Sequence, residues 1–111
     1  MITRLVTLLV VLSAAACDRS SSAGEQDGRQ LFGAVCARCH GEDGGGGLPL
    51  ATGQRPRNFH DPAFQSSRSD ADIRATIRSG KPPGMPSFAG VFSDRDLDAL
   101  VQKVRSFGGH P

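Results

Sequence analysis

The sequence Cys-Ala-Arg-Cys-His begins at Cys36 and places Cys39 next to His40. Two thiols three positions apart can form thioether bonds with the two vinyl groups on one edge of a haem. The adjacent His then lies beneath the iron as an axial ligand. This spacing predicts one covalently attached haem c.

Two other kinds of site use a pair of cysteines at this spacing. A thioredoxin-like dithiol needs a strand-helix-strand setting, and a zinc site needs four ligands. The sequence contains three Cys in all, so Cys36 and Cys39 have no second pair, and no stretch alternates apolar and polar residues over the length of a strand. Haem attachment is therefore favoured over both alternatives.

Three helices are predicted to position this segment. In 28–40, the apolar spacing of Gly28, Leu31, Phe32 and Val35 defines one helical face. A middle helix begins at a Ser69 cap and ends at Ser79 before a Gly. A third begins at a Ser93 cap and carries an apolar face that is formed by Leu97, Leu100, Val101 and Val104. The fold class is predicted to be all-α.

Met85 lies in the Pro- and Gly-rich segment 80–88, through which no helix can run. It is therefore displayed by a loop. Apart from the initiator it is the only Met of the sequence, so no other residue could supply a thioether ligand. The alternative is a loop Met with no ligand role, with the sixth site filled by another residue, by water or by nothing.

These features together resemble the class I cytochromes c over about residues 28–108. The resemblance implies a small cytochrome c fold, in which three main helices and long loops surround one haem, with His40 and Met85 as the axial ligands of its iron. It also implies that Gly28 lets the C-terminal helix cross closely. Lys103 stands where the family often has an aromatic residue; either the terminal helices contact each other more weakly, or Phe107 replaces that ring.

Further candidates lie between the attachment segment and the middle helix. In related short bacterial cytochromes a Pro near the position of Pro49 offers its carbonyl to the axial His; a simple turn is the alternative. Arg55 and Arg57 resemble a stretch that neighbours the haem propionates, although solvation at the surface explains them equally well. His60 is expected at the surface. Candidates for the walls of the haem pocket are Phe59, Phe64, Phe88 and Phe92.

The N-terminus is predicted to direct export. Residues 1–16 have the charge, apolar run and small residues of a signal peptide. Cys17 follows directly, and this resembles a bacterial lipoprotein, in which that Cys is lipidated; ordinary cleavage is the alternative. Residues 17–27 form a Ser-rich tether and 28–111 the haem domain. The protein is expected to be periplasmic and held at the inner membrane by lipid on Cys17.

The formal net charge of +2 argues against a nucleic-acid binder. An iron with both axial positions filled passes electrons and binds no substrate. The chain is therefore predicted to be a monomeric electron carrier, not an enzyme, whose partners are membrane redox proteins such as an oxidase, reductase or dehydrogenase. It could also be a fixed electron-transfer subunit of one of them. The alternative function is a gas sensor or small catalytic haem protein in which Met85 dissociates.

Overall fold

The computed structural model describes residues 27–110. The predicted signal peptide, Cys17 and most of the tether lie outside this range. Within it the chain forms helices joined by loops, and the only β-pairing is an isolated bridge between Lys81 and Met85. The all-α prediction is confirmed. No helix in residues 27–110 combines the length and apolar character needed to cross a membrane.

Helix α1 runs through 27–40 and ends in the attachment segment. Its middle, Phe32–Cys36, is π-helical, and its last turn, Ala37–His40, is α-helical. The backbone N–H of Ala37 donates to the carbonyl of Phe32, five residues back. A π-helical turn of this kind is rare and often accompanies functional sites. Apolar periodicity does not predict this π-helical turn, because the residues before and after it are also helical and the pattern is that of one continuous helix.

Three more helices follow: α2 (Pro62–Ser67), α3 (Asp70–Ser79) and α4 (Asp94–Ser106). The predicted caps of α3 and α4 are confirmed as reciprocal capping boxes, Ser69 with Asp72 and Ser93 with Asp96. In each box the hydrogen bond from the Ser backbone, followed by that of the Ser side chain, favours the charged carboxylate, so the pKa of Asp72 and that of Asp96 lie below the usual value.

Beside the three main helices that were predicted, the structure has a short fourth helix, α2, that the sequence analysis did not predict. Its signal is local: the Asp61 side chain accepts from the backbone N–H of Ala63, and Pro62 occupies the first helical position. Gln65 of α2 is buried and donates to the carbonyls of Phe59 and Val104 at 2.8 and 3.0 Å. This short helix therefore joins the loop before it to α4.

The core lies between α1, α3 and α4. Leu100 is 1% exposed and Phe32 2% exposed, and the predicted apolar face of α4 is buried along its length. Phe107 lies with its ring centroid 5.0 Å from that of Phe32. Phe107, the candidate to replace the ring absent at Lys103, thus packs against α1, and the Lys103 ammonium lies 4.2 Å from the centre of the Phe107 ring. Ion pairs of Arg74 with Asp94 and Asp98 join α3 to α4 at the surface.

Gly28 lies where α1 crosses α4. A Cβ at this position would collide with the backbone carbonyl of Ala99. The close crossing predicted for the two terminal helices is therefore present, and it depends on the missing side chain.

We expect Gly28→Ala to lower the free energy of unfolding by about 1–3 kcal/mol, because the helices must separate to admit the methyl group. Gly33→Ala in the same helix is the matched control, since the nearest atom to its Cβ would be a Glu42 carboxylate oxygen 4.0 Å away. Denaturant unfolding of the haem-loaded protein measures both. Equal stability of the two variants would show that the crossing does not need the glycine.

Candidate haem site

A cavity of about 600 Å³ opens beside α1 and is the setting of the site. Cys36, Cys39 and His40 line it from the end of α1, and Met85 lines it from the loop after α3. Its volume is in the range of cofactor sites, about 300–1,000 Å³. Buried apolar side chains form much of the remaining wall: Phe32, Phe59, Ile73, Ile77, Leu100 and Val104.

The two thiols are partly buried and not joined in a disulfide. Burial, with a smaller contribution from Cys39, raises the pKa of the Cys36 thiol to about 11. A thiol with a raised pKa is a poor redox or metal-binding thiolate. In the described part of the chain, no three His, Cys, Asp or Glu side chains converge on a metal position. These findings disfavour the dithiol and zinc alternatives.

The His40 imidazole is held on two sides. Its Nδ1 lies 3.1 Å from the backbone carbonyl oxygen of Arg57, and its ring stacks on Phe59 at 4.6 Å between centroids and 21° between planes. Because a carbonyl oxygen only accepts, Nδ1 must carry the proton, and Nε2 keeps its lone pair. Burial lowers the pKa of His40, although the bond to Arg57 opposes this. The neutral imidazole favoured here is the form that binds a metal.

The carbonyl group that bonds to the His40 ring is not the one that was predicted. Pro49 was expected to provide it, but the hydrogen bond goes to Arg57, and Pro49 is exposed and outside the cavity wall. The physical reason is the path of the loop. The Gly46 N–H donates to the His40 carbonyl and the Phe59 N–H donates to the Gly44 carbonyl, so the chain returns to α1 at residue 57. Pro49 comes before that return.

Arg55 and Arg57 both lie on the cavity wall. The Arg57 guanidinium also lies 5.6 Å from the centre of the Phe64 ring. Among residues 27–110 neither arginine is in an ion pair. Both therefore have guanidinium donors available to carboxylates of a bound group.

The loop that carries Met85 is tied to itself and to α3. Lys81 and Met85 exchange two backbone hydrogen bonds of 2.9 and 3.0 Å. The Ser87 hydroxyl and the Phe88 N–H both donate to the carbonyl of Arg78. The turn out of α3 requires Gly80, whose φ is +73° and whose Cβ would lie 2.6 Å from the Pro86 backbone.

Two contacts of this loop were missed by the sequence analysis. The Gln54 side-chain amide donates to the carbonyl of Pro82 at 3.4 Å, and Leu50 packs close to Gly84. Both residues line the cavity. No sequence signal marks them, since they lie about 30 positions before the loop that they contact.

The aromatic predictions are met in part. Phe59, Phe64 and Phe88 line the cavity, whereas Phe92 packs behind Phe88 at 5.3 Å between ring centroids. His60 is exposed, as expected, and is not part of the wall.

Comparison with known proteins decides the family. The model of the family described as cytochrome c oxidase, cbb3-type, subunit III matches residues 23–102. The chain belongs to this family. Its fold is that of the c-type cytochromes: the structure of the KustC0563 c-type cytochrome superposes with a TM-score of 0.66 at 36% identity, over 73% of this chain and 96% of that one. A point variant of KustC0563 gives a TM-score of 0.65 at 37% identity, with 73% and 98% covered.

A curated relative is subunit FixP of the cbb3-type cytochrome c oxidase of Azorhizobium caulinodans. It is 33% identical over 82 residues, which are 74% of this chain and 27% of that subunit. The chain thus spans about a quarter of that relative's length. As a c-type cytochrome, this chain binds haem c covalently and serves electron transfer.

Proposed function

We propose that this protein is a monohaem cytochrome that carries single electrons in the periplasm between membrane redox complexes. Cys36 and Cys39 would hold the haem through thioether bonds, and the side chains of His40 and Met85 would bind its iron. The observation that carries the proposal is that these four side chains line one cavity with an apolar wall.

The chain's own groups suit this cofactor. The Arg57 carbonyl leaves His40 Nε2 as the free ring nitrogen and makes it more basic. The Met85 thioether adds no charge to the iron. The guanidinium groups of Arg55 and Arg57, which form no ion pair within residues 27–110, match the two carboxylates of a haem.

When bound, haem supplies a one-electron couple. The protein's task is to keep the coordination unchanged while the charge changes. The buried wall excludes water, which disfavours the extra positive charge of ferric iron and raises the reduction potential, as a Met ligand also does. The ties of the 80–88 loop hold Met85 in place, so that little rearrangement accompanies electron transfer.

The alternative, a gas sensor or catalytic haem protein, requires Met85 to leave the iron. The two hydrogen bonds between Lys81 and Met85, the bonds to Arg78 and the contact of Gln54 all oppose that movement. They favour the carrier. A stable near-infrared band of the ferric protein and slow binding of CO would support it, and the absence of the band with rapid CO binding would support the sensor.

We further propose that the partner is a membrane oxidase, since FixP is named as an oxidase subunit. Lipidation of Cys17 after removal of residues 1–16 would hold the domain at the inner membrane through the 17–27 tether. A flexible tether of this length would hold the domain within roughly 20 Å of its anchor. The domain acts as a monomer, whether as a mobile shuttle or as a subunit held at one complex.

Mass spectrometry of the exported protein tests attachment and anchoring with three cysteine variants. Cys36→Ser and Cys39→Ser are each expected to lose normal two-bond haem attachment, because one of the two thioethers is then missing. Cys17→Ser is the matched control: it is expected to keep the haem mass and lose only the acyl mass. Retention of a normal two-thioether haem in Cys36→Ser or Cys39→Ser would contradict the attachment site.

Met85→Ala is expected to leave the haem attached but to lower the midpoint potential and abolish the near-infrared band, because the thioether ligand is gone. Leu48→Ala is the control, since Leu48 is an apolar loop residue that is 85% exposed. Redox titration and absorption spectra measure both variants. An unchanged potential and spectrum in Met85→Ala would rule out Met85 as the ligand.

A further inference from the structure

His60 lies outside the cavity yet makes a close contact with the loop that follows the attachment segment. Its Nε2 is 2.6 Å from the backbone carbonyl oxygen of Asp43, and its ring meets Phe107 edge-on at 5.6 Å between centroids. We propose that His60 is a positioning residue for the axial imidazole of His40. The inference rests on the proposed function, because it concerns the ligand of the haem iron.

The direction of the hydrogen bond between His60 and Asp43 is fixed by its acceptor. The Asp43 carbonyl can only accept, so His60 Nε2 is the donor in either protonation state of the ring. The His60 backbone is fixed as well, since its N–H donates to the Asn58 side-chain oxygen at 2.9 Å. The imidazole therefore holds the Asp43 carbonyl from a fixed point of the 57–60 segment.

The bond from His60 secures the loop that follows the attachment segment. Residues 41–47, the glycine loop, lie against the 57–60 segment, and the Gly44 carbonyl accepts from the Phe59 N–H at 2.8 Å. Gly44 has a φ of +72°, and a Cβ there would lie 2.7 Å from the Phe107 ring. At Gly46 a Cβ would lie 2.8 Å from the Pro56 carbonyl oxygen. The loop can approach this closely only without side chains.

Both segments also contact His40. The Gly46 N–H donates to the His40 carbonyl at 2.8 Å, which ties the glycine loop to the backbone of the ligand. The 57–60 segment supplies the Arg57 carbonyl to Nδ1 and the Phe59 ring to the imidazole face. His60 and Phe59 thus join, by one hydrogen bond each, the two segments that hold His40 from either side.

Loss of the His60 bond would let the 57–60 segment move relative to α1 and lengthen the bond between Arg57 and His40. A weaker acceptor at Nδ1 makes the imidazole a less basic ligand and stabilises ferric iron less. The midpoint potential is then expected to rise. The Nδ1 proton of His40 is also expected to exchange faster with solvent, because exchange requires this bond to open.

The test compares three variants of the haem-loaded protein. His60→Phe keeps a ring against Phe107 but has no donor, and His60→Gln restores an N–H donor at a similar distance from the backbone. His110→Phe makes the same type of change at an exposed position near the C-terminus. Proton NMR of the reduced protein measures exchange at His40 Nδ1, and redox titration measures the potential.

In His60→Phe we expect about tenfold faster exchange, the effect of losing one hydrogen bond of average strength, and a higher potential. His60→Gln and His110→Phe are expected to match the unmodified protein. If His60→Phe does not accumulate, His60→Ala takes its place.

Unchanged exchange and potential in the donor-free variant would overturn the inference and leave the proposed function intact. Faster exchange in His60→Gln equal to that in His60→Phe would also overturn it, since the donor would then be irrelevant. A failure of the proposed function looks different, because the unmodified protein itself would then lack attached haem.

Discussion

The constraint on which this structure depends is a core that protein side chains alone do not fill. α1, α3 and α4 bury an apolar cluster, yet they leave a cavity of about 600 Å³ walled by Phe32, Ile73 and Ile77 among others. Small domains with few large side chains need an additional stabilising element. A covalently held haem meets that need, so that the group that carries the electron also completes the core.

The same constraint explains how the loops are built. The proposed ligands of a cofactor inside the core must be held still, and here the loop that carries Met85 and the loop that follows His40 are each tied back to a helix. The Met85 loop returns to the carbonyl of Arg78 on α3, and the glycine loop returns to the carbonyl of His40 on α1. Rigid ligands suit a centre that changes its charge but not its coordination. The proposed positioning role of His60 extends this principle to a residue at the surface.

Much of the fold and of the site could be predicted from the sequence where the signal is local. The boxes at Ser69 and Ser93 and the apolar face of α4 depend on residues a few positions apart or on helix periodicity. The close crossing at Gly28 joins distant residues and was implied by the resemblance to the class I cytochromes c. The attachment segment has a fixed spacing. Helix α2 also has a local signal, in Asp61 and Pro62, which the sequence analysis did not use.

The contacts that could not be predicted are those between loops that are distant in sequence. Arg57 contacts His40 across 17 positions through its backbone carbonyl, a group that any residue type could offer. Gln54 contacts Pro82 across 28 positions through a side-chain amide that belongs to no local pattern. The choice of Pro49 failed for this reason: a proline has a recognisable position in a relative, whereas a carbonyl has no sequence signature. The π-helical turn Phe32–Cys36 escaped prediction because its apolar pattern is that of an ordinary helix.

X-ray absorption at the iron edge tests the central claim most directly, since it counts the atoms bound to the metal in solution. For the purified protein the account predicts five nitrogen neighbours and one sulfur neighbour, unchanged between the ferric and ferrous states. An iron with no sulfur neighbour, or one that loses it on reduction or oxidation, would contradict the claim that this chain clamps its haem between His40 and Met85 to carry electrons.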